Sequence, residues 1–156
     1  MRIISILVEN NAGSLARISS LFSRRGYNID SLTVSSTEDE HYSTITLTAD
    51  LEELELQQLM AQTAKLQEVI KIQELHENSS VLRELLLIKL AVNSENRSQI
   101  MEVATVYNGV VVDLSSESLI IELTGKPGKI DAFIKVLSAF NIINYCRTGV
   151  TGMIRV

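Results

Sequence analysis

Two asparagines, Asn10 and Asn28, stand at either side of a stretch that reads as one helix, Glu9 to Val34 being ENNAGSLARISSLFSRRGYNIDSLTV. A carboxamide offers donors and an acceptor together, which the ammonium and carboxylate of a small zwitterion both need. Between them Asn10-Asn11-Ala12-Gly13 leads into the expected helix start, where Gly13 has no side chain. Backbone N–H groups left free at a helix start suit a small anion such as a carboxylate. Both residue types also have ordinary loop chemistry. Asn tolerates left-handed backbone and hydrogen-bonds its own turn, and Gly supplies a positive φ. Spacing alone leaves recognition and turn-making open.

Other chemistry is poorly supplied. His41 and His76 have no acidic or cysteine partner at metal-ligand spacing and read as surface residues. Cys146, the single cysteine, excludes an intrachain disulfide, a four-cysteine zinc site and an iron–sulfur cluster. It falls in a strand pattern, where a small packed thiol is expected. No Ser/His/Asp or Cys/His set stands out, and Gly125-Lys126-Pro127-Gly128 lacks the spacing of a phosphate-cradling loop. Glu38-Asp39-Glu40 reads as a solvated turn, and Lys126, Lys129 and Lys135 as an exposed helix face or partner surface. We therefore expect no catalytic residues and no metal ligands.

The elements that must position the asparagines follow from periodicity. Arg2–Val8 is apolar on both faces and predicts a central strand. Gly13–Arg25 predicts a helix with Leu15, Ile18, Leu21 and Phe22 on its buried face. Arg24 and Arg25 suit the C-terminal end of its dipole, and Gly26 a left-handed cap. Tyr27–Ser36 and Tyr42–Ala49 are strand-like, the second alternating Ile45, Leu47 and Ala49 against Thr44, Thr46 and Thr48. Asp50 is a plausible N-cap for a helix to about Leu66, with Leu59, Met60, Thr63 and Leu66 on one side, and Val69–Leu75 closes with a strand. The order is β-α-β-β-α-β.

After a polar linker, His76–Ser80, the order repeats. Strands at Leu82–Val92, Gly109–Leu114, Leu119–Thr124 and Asn141–Thr148 alternate with helices at Glu95–Tyr107 and from Pro127 through Phe140, proline suiting a first helical turn. The expected fold class is α+β: two ferredoxin-like βαββαβ sandwiches, residues 1–77 and 78–156, each with its helices on one face of an antiparallel sheet.

With 156 residues, 46% of them hydrophobic and 21% charged, the chain can bury a core, although halves of this size are marginal alone. Aromatics are only 4%, so the core must be aliphatic and base stacking is poorly supplied. Residues 1–77 carry 6 basic and 12 acidic side chains, and 78–156 carry 8 and 7. An acidic first half argues against nucleic acid as a partner. Ile3–Val8 is too short for a signal-peptide core or a membrane span, which predicts no membrane association and a cytoplasmic protein. An RNA-binding module, a small enzyme and a ligand-sensing regulatory module all fit a doubled βαββαβ chain. The third needs only the helix-end site and a partner, and ranks first.

The stretch ENNAGSLARISSLFSRRGYNIDSLTV closely resembles the ACT domain of the small, regulatory subunit of acetolactate synthase (acetohydroxyacid synthase). RELLLIKL (83–90), GVVVDL (109–114), IELTGKPGKIDAF (121–133) and RTGVTG (147–152) resemble that family's C-terminal domain, so the likeness spans nearly the whole chain. Leu82 departs from it, standing where the family often has an acidic residue. The resemblance implies an ACT domain at 1–77 that binds effector and dimerises. It implies a non-catalytic subunit in branched-chain amino acid biosynthesis that activates a catalytic large subunit. It also implies feedback inhibition by a branched-chain amino acid, usually valine, held between two ACT domains of a homodimer. The implied effector positions are Asn10, Asn11, Ala12, Gly13, Ser14, Leu15 and Asn28, with Ile29 nearby. Thiamine diphosphate, Mg²⁺ and any FAD would belong to the large subunit, with no cofactor in this chain. The alternative is a freestanding amino-acid-sensing ACT protein acting on another partner.

Overall fold

Strand β1 (Arg2–Glu9) is apolar from Ile3 to Val8 except at Ser5, as suits a strand hydrogen-bonded on both edges and covered on both faces. It pairs antiparallel with β3 (Tyr42–Ala49) and with β4 (Val69–Glu74). β2 (Ile29–Ser36) adds to the far edge of β3, giving the order β2-β3-β1-β4. The computed structural model describes residues 1–156, and they divide into two compact units. The first is Met1–Val81 with Gly149–Val156, and the second is Leu82–Thr148.

Two helices cover one face of the first sheet. Helix α1 (Ser14–Arg24) places Ile18 and Phe22 in a core with Ile4, Ile6, Val8, Ile45 and Leu47. It ends as its sequence directs. Gly26 has φ 71°, its N–H donates to Ser23 and the Tyr27 N–H to Phe22, closing a Schellman turn. Leu15, expected on the buried face, is 36% exposed instead. Helix α2 (Glu53–Thr63) buries Leu56, Leu59 and Thr63, whose hydroxyl donates back to the Leu59 carbonyl at 2.7 Å. Its N-cap is Glu52, not Asp50. Glu52 and Glu55 form a reciprocal capping box, while Asp50 holds the Met1 ammonium at 3.2 Å.

The second unit repeats the plan. β5 (Ser80–Ala91) opens its sheet, and β6 (Val110–Leu114), β7 (Ser118–Gly125) and β8 (Ile142–Arg147) complete the order β6-β7-β5-β8, with β5 taking the central place of β1. Helices α3 (Arg97–Val106) and α4 (Pro127–Leu137) bury Ile100, Ala104, Ile130, Phe133 and Leu137 against Leu86, Ile88, Leu90, Ile121 and Leu123. The Tyr107 and Phe133 rings meet at 5.1 Å, tilted by 52°, a favourable aromatic arrangement. At the end of α3 Asn108 plays the part of Gly26, with φ 59°. Both units are thus α+β sandwiches of the ferredoxin-like type. Cys146 lies in edge strand β8, as the pattern implied, but exposed rather than packed.

The periodicity gave no sign of the ninth strand, β9 (Thr151–Ile154). It belongs to the segment Gly149–Val156 that groups with the first unit. The Thr33 hydroxyl donates to the Val150 carbonyl at 2.7 Å, Val150 is buried, and the Arg155 N–H donates to the Ser79 carbonyl. Thr46 and Thr48, on the sheet face away from the helices, are buried as well, with Thr48 bonded to Ser31 at 2.7 Å.

Candidate effector site

The loop from β1 to α1 is tied down by its own polar side chains. Asn11 Oδ1 accepts the Gly13 N–H at 3.2 Å, and the buried Ser14 hydroxyl donates to the Glu9 carbonyl at 2.8 Å. The Asn11 amide group reaches Glu9 Oε2 at 3.4 Å. Asn11 and Ser14 therefore shape the loop. Asn10 is held differently: its N–H donates to the His41 carbonyl at 2.8 Å and its Nδ2 to the Glu40 carbonyl at 2.9 Å.

The start of α1 is left open. Gly13 is the N-cap, yet its φ of −90° is one any residue adopts, so the backbone does not require glycine. A Cβ built there would meet only Asn11 Oδ1, at 3.7 Å. The N–H groups of Leu15 and Ala16 have no acceptor in the chain, and the first turn has no acidic residue. The start of α2 is filled by its capping box, whereas α3 likewise leaves the N–H groups of Ser98 and Gln99 without an acceptor, and α4 opens on Pro127, which has no N–H. An open depression of about 610 Å³ adjoins the loop, lined by Glu9, Asn10, Asn11, Glu40, His41 and Tyr42. By sequence Glu38-Asp39-Glu40 is a solvated turn and His41 a surface residue. Their contacts with Asn10 run through backbone carbonyls, which no residue type announces.

Asn28 and Ile29 are not beside the loop. Ile29 and Arg2 both register on Ala49, whereas Asn10 follows Glu9, which registers on Tyr42. Seven residues of strand separate the two levels, about 23 Å at ~3.3 Å per residue. Within one chain, Asn10 and Asn28 cannot hold the same small molecule. Asn28 is exposed, and its amide reaches only Asp30 Oδ1, at 3.4 Å.

Residues 4–71 match the family model described as the AHAS small subunit-like ACT domain, and residues 83–156 match that for the small subunit of acetolactate synthase. The chain belongs to the acetolactate synthase small-subunit family. Among similar small subunits, that of Mycolicibacterium smegmatis is 45% identical over 97% of this chain and 89% of its own. A probable acetolactate synthase small subunit of Archaeoglobus fulgidus is 42% identical over 97% and 95%. The crystal structure of the acetolactate synthase small subunit from Thermotoga maritima superposes with a TM-score of 0.90 at 32% identity, over 99% of this chain and 97% of that one. Membership of the small-subunit family, with an ACT domain, supports a regulatory subunit role for this chain.

Proposed function

We propose that this chain activates the thiamine-diphosphate-dependent large subunit of acetolactate synthase and confers feedback inhibition by a branched-chain amino acid, with valine the first candidate. The observation that carries the effector reading is the unfilled start of α1. Two N–H groups lack acceptors beside a glycine that the backbone does not need. An effector carboxylate completes that helix start as the Glu52 side chain completes that of α2. The half-exposed Leu15 offers apolar surface for a branched side chain, which separates valine from its longer neighbours only weakly.

The site needs two copies. β2 is an edge strand with Leu32 and Val34 exposed. If two β2 strands pair antiparallel about a two-fold axis, the start of one lies opposite the end of the other. The end of β2 is level with Val8, since Ser36 and Val8 both register on Ser43. The two-fold thereby carries Asn28 and Ile29 of a second copy to the end where Asn10 and Gly13 lie. Homodimerisation through β2 supplies both asparagines to one effector, and edge pairing also satisfies the open ladder.

We assign residues 1–77 to effector binding and dimerisation, and 78–156 to a C-terminal domain. Thiamine diphosphate, Mg²⁺ and any FAD belong to the large subunit, and the complex is cytoplasmic. The purified chain alone should form no acetolactate from pyruvate, should raise the rate of its cognate large subunit, and should make that rate sensitive to valine. Acetolactate formation by the chain alone would overturn this. Binding of an amino acid without any effect on the large subunit would favour a freestanding sensor.

A further inference from the structure

The residues around Asn10 say which end of the effector it meets. Asn10 is bonded twice to one turn, by its N–H to the His41 carbonyl and by Nδ2 to the Glu40 carbonyl. The carboxamide orientation follows from chemistry, since the opposite one would set Oδ1 against a carbonyl oxygen. Nδ2 commits one of its two N–H groups to the turn, which fixes the carboxamide and leaves Oδ1, an acceptor, wholly free for a ligand. Oδ1 suits an ammonium group and repels a carboxylate. The side chains of Glu9 and Glu40 line the same depression and add negative charge there. The α1 start, with its unsatisfied donors, takes the carboxylate.

The turn that fixes Asn10 is itself built by two side chains. Asp39 Oδ1 accepts the His41 N–H at 3.0 Å and lies 2.7 Å from His41 Nδ1. The Thr37 hydroxyl donates to the Asp39 carbonyl at 2.8 Å and accepts the Asp39 N–H at 3.1 Å. Resting on the effector reading above, we propose that Asp39 is a positioning residue for the effector's ammonium group. It holds the Glu40 and His41 carbonyls on Asn10, so that Asn10 offers Oδ1 to that group.

The test is calorimetry on the full-length chain with L-valine and with 3-methylbutanoate, which has the same side chain and carboxylate but no ammonium group. Asn10→Ala should weaken valine binding about tenfold, the scale of one hydrogen bond to a charged group. Asp39→Ala should weaken valine several-fold, leave 3-methylbutanoate unchanged, and keep the melting temperature within about 2 °C. Asp39→Asn should restore part of the valine binding, because its Oδ1 can still accept the His41 N–H but without the carboxylate's charge. Valine binding by Asp39→Ala equal to wild type, with Asn10→Ala impaired, would overturn the role of the turn alone. Equal weakening of both ligands would show general loosening and also overturn it. Should the wild type bind no branched-chain amino acid, or Asn10→Ala bind valine normally, the effector reading itself falls, and this inference with it.

Discussion

Arg147 stands to Glu84 as Glu74 stands to Arg2. In the second unit Arg147 on β8 reaches diagonally across the ladder to Glu84 on β5, at 2.6 Å, and on to Asp131 in α4 at 2.6 Å. In the first unit Arg2 on β1 reaches Glu74 on β4 at 3.1 Å and Glu53 in α2 at 2.9 Å. The register is the same: Ile4 pairs with Glu74 and Leu86 with Arg147, and Arg2 and Glu84 each lie two residues earlier. The central strand, the edge strand and the second helix are joined by one arginine and two carboxylates in both units, with the arginine and its strand partner exchanged.

This exchange predicts the outcome of a charge swap. Glu84 is buried, so Arg147→Ala leaves its carboxylate without a counter-ion and should cost about 3 kcal/mol. The double variant Glu84→Arg/Arg147→Glu adopts the polarity that the first unit already uses, and should recover most of the loss. Chemical denaturation of the three proteins decides it. Burial lowers the Arg147 pKa, but its bonds to Glu84 and Asp131 outweigh that and raise it above the ordinary value. The arginine therefore keeps its charge from acid to neutral pH, and the contribution of the pairing rests on its carboxylates staying ionised.

Gly13→Asp should abolish effector response while sparing the fold. The added carboxylate occupies the open helix start and repels the ligand's own. At ~4 Å this costs between ~1 and ~4 kcal/mol, and the lower end is already about fivefold in affinity. Space for the side chain exists, and Asp suits a helix N-terminus. The reconstituted enzyme should be activated normally and lose valine inhibition. Loss of activation as well would point to a folding or dimer defect instead.

Effector affinity should fall in acid through Asp39. Its bonds to the His41 N–H first, and to the His41 ring second, hold its carboxyl below the usual range. A lowered carboxylate contributes above its unfolded pKa and loses that contribution as pH falls through the folded value. Valine affinity should be flat from neutrality to about pH 4 and decline below it. In Asp39→Asn the part of the decline that belongs to Asp39 should vanish.

Sedimentation should show a dimer at micromolar concentration, and Val34→Lys on β2 should shift it toward monomer. Monomeric wild type with valine present would remove the shared site altogether.

Gly149→Ala should destabilise the first unit. Its Cβ would lie 3.0–3.1 Å from the N, C and O atoms of Leu32, which are backbone and have no rotamer to change. Overpacking of this kind costs about 1–3 kcal/mol. Hydrogen exchange should quicken along β2 and leave α4 unaffected.

Much of this architecture was legible in the chain. Alternation and 3.6-residue periodicity give β1 to β8 and all four helices, and Gly26 marks the end of α1 by the φ it must adopt. What was missed has a common cause, which is tertiary context. Asp50 and Glu52 are both acceptable caps, and only the reciprocal bond with Glu55 selects the second. Leu15 has the spacing of a core residue but lies at the rim of its helix. Thr46 and Thr48 look solvent-facing in the alternation yet are buried, and Thr33 beside them bonds a carbonyl more than a hundred residues later. For the site, the loop from Glu9 to Gly13 could be singled out by residue type. The 23 Å between Asn10 and Asn28 levels follows only from strand register, about ~3.3 Å per residue.

The return of Gly149–Val156 to the first unit bears on the order in which the protein matures. The bond between Thr33 and Val150 spans 117 positions. As the ribosome releases the chain, residues 1–81 emerge with their strands and helices complete, but with the buried threonine face still wet. The second unit, 82–148, is made wholly from residues contiguous in sequence and closes as soon as Thr148 is out. Loop-closure entropy sets the first unit's last contacts apart from its early ones. The amino-terminal half, synthesised first, thus completes its contacts only with residues made after the whole second unit.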